Sequence, residues 1–104
     1  MISTALLFAT LAVVDVPAAQ PRQQFSTCLR SFMTAKINDR MPAADFDAAL
    51  AAACAPQEAA YRAAYITAAR RQGDSQTVAE RDVRVEVEDL RTNFRELFHN
   101  SFEE

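Results

Sequence analysis

Three side chains dominate a search for chemistry in this chain: Cys28, Cys54 and the single histidine, His99. Two thiols can form a disulfide, act as a redox pair or hold a metal. A redox pair typically uses Cys-x-x-Cys spacing, which Cys28 and Cys54 do not have. Two cysteines with one histidine fall short of a tetrahedral zinc cage. The pairing expected is therefore a structural disulfide. His99 has Glu96 three residues before it and Glu103 four after, so the three share one helix face as weak candidate metal ligands. The simpler reading is a solvated last turn in which His99 favours the negative end of the helix dipole.

Other constellations are missing from the inventory. The chain has one glycine, Gly73, so a glycine-rich phosphate loop cannot be built. Neither a Gly-x-Ser-x-Gly elbow nor a His-Glu-x-x-His helix occurs. No catalytic residue and no cofactor is assigned, and the chain reads as non-enzymatic. With 11 basic and 14 acidic residues, it lacks the positive footprint that nucleic acid requires.

The cysteines need an oxidising compartment, and the N-terminus suggests how the chain reaches one. Ala5–Val14 is an apolar run without charge, followed by Asp15 and by Val16-Pro17-Ala18. This is the pattern of a signal peptide, residues 1–19, with cleavage after Ala18 or Ala19. No Lys or Arg precedes the run, and it is too short for a bilayer span of roughly 20 residues. Processing would leave a single domain over 20–104, exported to the periplasm or the medium, with no membrane association after cleavage. A domain of that size buries only about 60% of its unfolded surface, so a covalent staple would matter.

Helix formers dominate the remainder, and four helices are expected. In the first, Pro21–Ile37, Phe25, Cys28, Leu29, Phe32, Met33 and Ile37 fall on one stripe. The second runs from Pro42 to about Ala55, with Phe46, Leu50, Ala53 and Cys54 on one side. Pro56 opens a third, carrying Tyr61, Ala64, Tyr65 and Ala68, which ends at Gly73 in a left-handed cap. Asp74 or Ser75 caps the fourth, which reaches Phe102.

In that last helix Val83, Val87, Leu90, Phe94 and Leu97 follow 4-3-4-3 spacing, and Phe98 widens the stripe. Val83–Glu88 also alternates with period two, as a strand would, but no partner strand exists. The fold expected is an all-α bundle of four helices. Its first two helices form a disulfide-linked hairpin, and the long last helix packs across them. Cys28 and Cys54 each lie thirteen residues from Met41, which sets them level when the hairpin closes.

The functional expectation is a protein–protein contact, with a partner or a second copy, through Val83, Val87, Leu90, Phe94, Leu97 and Phe98. A parallel two-stranded seam would pair Glu86 with Arg91 across it. Tyr61, Arg62 and Tyr65 offer a lesser candidate surface. The rivals are a chaperone-like or small-ligand-binding module and a weak metal binder using the C-terminal helix.

Overall fold

The computed structural model describes residues 18–102, so residues 1–17 of the proposed signal segment, its apolar run included, and Glu103 lie outside the described residues. Four helices follow one another: α1 (Ala19–Asn38), α2 (Ala43–Leu50), α3 (Ala55–Arg71) and α4 (Gln76–Asn100). The stretch Val83–Glu88 is helical throughout, and the described residues contain no strand. α4 lies against α3 and α1, α3 also packs along α1, and α2 rests chiefly on α4.

The periodic apolar residues build the core. Phe25, Leu29 and Met33 of α1, Phe46 and Leu50 of α2, and Tyr61 of α3 are buried against Val83, Val87, Leu90, Phe94 and Phe98 of α4. Phe46 lies flat on Phe98, with centroids 3.8 Å apart, and Phe32 tilts onto Phe46 at 5.8 Å. Tyr61 stacks on Phe25 and takes the edge of Tyr65. Tyr61 is thus core, not recognition surface.

The helix ends follow from local chemistry. Ser75 caps α4, its hydroxyl accepting from the Val78 N–H at 3.1 Å. Gly73, at φ 106°, closes α3: the Asp74 N–H reaches the Ala69 carbonyl and the Gly73 N–H reaches that of Arg70. That is a Schellman motif. α1 ends the same way, Met41 N–H to Lys36 and Arg40 N–H to Ile37. There the left-handed position, φ 58°, is held by Arg40 and not by a glycine.

The second helix is shorter than its alanine-rich sequence predicts. α2 stops at Leu50, and Ala51–Cys54 form a turn. A helix running on through Pro56 would set the proline ring against the carbonyl of Ala52, so the chain must break before it. Cys54 takes the break, left-handed at φ 63°, at the N-cap of α3. The disulfide with Cys28 is formed, Cα–Cα 6.1 Å. It joins α1 to the turn between α2 and α3, not to a face of the second helix.

The lengths also differ from expectation. α4 has 25 residues and α1 has 20, so they span about 38 and 30 Å. The last helix therefore exceeds α1 by only five residues, less than the expected bounds Pro21–Ile37 and Ser75–Phe102 imply.

Two stability outcomes follow. Cys28 and Cys54 are 26 residues apart, and a loop of that size contributes about 3–4 kcal/mol in the chain-entropy model. Urea titration with and without reductant should show a loss of that order. At Arg40, glycine should be preferred over a β-branched residue: Arg40→Gly should exceed Arg40→Val in stability by at least about 1 kcal/mol in the same assay.

Candidate functional site

Five of the six residues expected to form an interaction stripe face inward. Val83, Val87, Leu90, Phe94 and Phe98 are no more than 8% exposed. The stripe is the α4 half of the chain's own core, because α1, α2 and α3 supply enough apolar surface to cover it. Leu97 is the exception, at 40% exposure. Among the described residues Phe102 and Val85, each 49% exposed, are the other large apolar side chains left in solvent. Phe102 sits edge-on to Phe98, centroids 5.1 Å apart, so its ring extends the core outward at the end of the bundle. Leu97 and Phe102 are thus two exposed apolar side chains, five residues apart, at this end of the bundle.

Arg91 overturns the expected pairing with Glu86 across an interchain seam. Its side chain, 14% exposed, turns into the bundle. One guanidinium nitrogen donates to the Leu50 carbonyl at 2.5 Å and another to the Glu58 carboxylate. The guanidinium carbon lies 5.1 Å from the centroid of the Phe25 ring. Glu58 also accepts from Arg62 at 2.7 Å. Burial pushes the Glu58 carboxyl up, but the hydrogen bonds from Arg91 and Arg62 outweigh it and hold the group below its ordinary value. Glu86 faces Arg22 of α1 instead, 3.9 Å away on the exposed surface.

His99 does not assemble with Glu96. Its Nε2 lies 2.9 Å from Oδ1 of Asp47 on α2, while Glu96 is exposed to solvent. Among the described residues no three His, Cys, Asp or Glu side chains come together as a metal group. Asp47 also lines a groove of about 320 Å³ between α2 and α4, with Leu50, Glu88, Arg91, Thr92 and Arg95 around it. Its charges are mixed, two carboxylates and two guanidiniums, and both of Arg91's terminal nitrogens are already engaged. The groove thus has no single-sign field with which to select an ion.

Sequence reasoning missed the links from Arg91 to Glu58 and from His99 to Asp47, which join residues 33 and 52 positions apart. One signal existed for the first. Arg91 follows Leu90 at the border of the apolar stripe, where an arginine is able to lay its stem on the core.

The arrangement defines a disulfide-stapled four-helix domain whose polar links serve its architecture. No protein-family model matches the chain, and comparison with curated proteins and with solved structures gives no match either. No described helix is long and apolar enough to cross a membrane.

The Glu58 contact carries a pH signature. A carboxyl held below its unfolded value stabilises the fold above that value, near 4.5, and the gain is lost as pH falls through the folded one. Wild-type stability should therefore drop more steeply below about pH 4.5 than that of Glu58→Gln. Chemical denaturation between pH 3 and 7 measures the difference. Arg91→Ala takes a charged donor from both the Glu58 carboxylate and the Leu50 carbonyl, and should cost about 2–3 kcal/mol at neutral pH.

Proposed function

We propose that this chain is a small exported helical protein without enzymatic activity, acting through protein–protein contact at the C-terminal end of α4. The observation that carries the reading is the contrast between the stripe of α4 and the residues at its C-terminal end. The stripe Val83–Phe98 is covered by the chain itself, yet Leu97 and Phe102 leave apolar surface uncovered at the end of the bundle. Two exposed large apolar residues within six positions at one end of the bundle favour a contact there over the isolated exposure of Val85.

Export is supported by the bridged cysteine pair, which persists in oxidising compartments, and by the apolar run Ala5–Val14. A non-enzymatic role is supported by the inventory of side chains. The small-ligand alternative has one observation in its favour, the groove between α2 and α4. Its mixed charge makes it the weaker reading.

A photo-crosslinking amino acid placed at Leu97 or Phe102 of the exported protein tests the assignment. Discrete adducts, with another protein or a second copy, are expected from these positions. The same group at Ala63, exposed on α3, should give none. Identical adduct patterns from all three positions would discard the end of α4 as the contact surface.

A further inference from the structure

α2 differs from the other helices in how it is held. It has eight residues, below the length at which a helix persists alone. Like α1 and α3 it has no side-chain N-cap, and it buries two large side chains, Phe46 and Leu50. Its packing is chiefly against α4, with Phe46 touching Phe32 of α1. Two polar links complete the hold, Asp47 to His99 and the Leu50 carbonyl to Arg91. Both connections flanking α2 pass through a non-glycine residue in the left-handed region, Arg40 before it and Cys54 after it. L residues rarely adopt that conformation, and it tends to persist only where surrounding structure enforces it. A segment that relaxes two such residues on opening gains from doing so.

The far side of this segment is covalently fixed. Cys54 is bonded to Cys28 in the middle of α1, so the segment cannot drift away when its contacts break. α1, α3 and α4 keep one another's company without it, through Phe25, Leu29, Tyr61, Val83 and Val87.

We infer that Met41–Ala53 is a tethered flap, which opens as a unit about Arg40 and Cys54 while α1, α3 and α4 stay packed, and so uncovers the aromatic faces of Phe32 and Phe98. The flap is independent of whether Leu97 and Phe102 meet a partner. It places a second, normally closed apolar surface beside the exposed one. Local opening of this kind draws on units held by few neighbours, and α2 rests chiefly on a single helix, α4.

Native-state hydrogen exchange on the full disulfide-bonded protein tests it. The helix-bonded amides of Asp47–Leu50 should exchange at least about tenfold faster than those of Val87–Leu90, with little dependence on low denaturant. His99→Ala removes one link without altering the sequence of α2. It should speed exchange in α2 several-fold and leave Val87–Leu90 unchanged. If α2 and α4 share one protection level and one denaturant slope, the flap does not exist. It is equally overturned if His99→Ala leaves α2 exchange unchanged or speeds both helices to the same degree.

Discussion

The guanidinium of Arg91 is the point at which all four helices meet. It projects from α4, covers the Phe25 ring of α1, takes up the terminal carbonyl of α2 and pairs with Glu58 in the first turn of α3. Each partner solves a separate problem. The Leu50 carbonyl ends a helix, accepts the Ala53 N–H in the turn that follows, and takes Arg91 on its second lone pair. The Glu58 carboxylate lies near the positive end of α3, where a negative charge is favoured. Phe25 offers a π face to a weakly hydrated cation. A lysine presents one point charge and could not make the two divergent bonds that the planar fork makes here.

The disulfide works on the same region from the opposite direction. Cys54 stands four residues before Glu58 and four after Leu50, so covalent and electrostatic restraints converge on the α2–α3 turn. This turn contains a left-handed residue and a short run of alanines, and it contributes little burial of its own beyond Ala53. In a chain this small, the junction with the least apolar contact is where non-hydrophobic restraints have most to add. Elsewhere burial suffices: the core side chains are all apolar apart from the phenol of Tyr61, and among the described residues no buried side-chain polar atom lacks a partner.

The helices and their inward faces were legible in the sequence because both follow local rules. Phe25, Leu29 and Met33 in α1, and Val83 through Phe98 in α4, mark a 3.6-residue period that the structure keeps. Gly73 and Ser75 announce a stop and a start by their own chemistry. The cysteine pairing was legible through equal distances from Met41, although the path on the second side is a short helix plus a turn. What the pattern could not show was where the stripe would be buried, since an apolar a/d seam reads alike against another chain and against its own. The early end of α2 was hidden by Ala51–Ala53, good helix formers overruled by Pro56 and by the bond to Cys28. The partners of Arg91 and His99 depend on tertiary packing and leave no local trace.

The position of the disulfide has a consequence for the order of assembly. Both sulfurs lie well ahead of α4 in the chain, and domains are synthesised from the N-terminus. In an oxidising environment the covalent ring can therefore close without any residue of α4. Until α4 docks, Phe25 and Tyr61 cover only each other and Phe46 leans only on Phe32, so the ring is half of a hydrophobic core. Premature arrest at this stage would yield a cross-linked, sticky fragment. The chain escapes that state only when the 25-residue α4 docks.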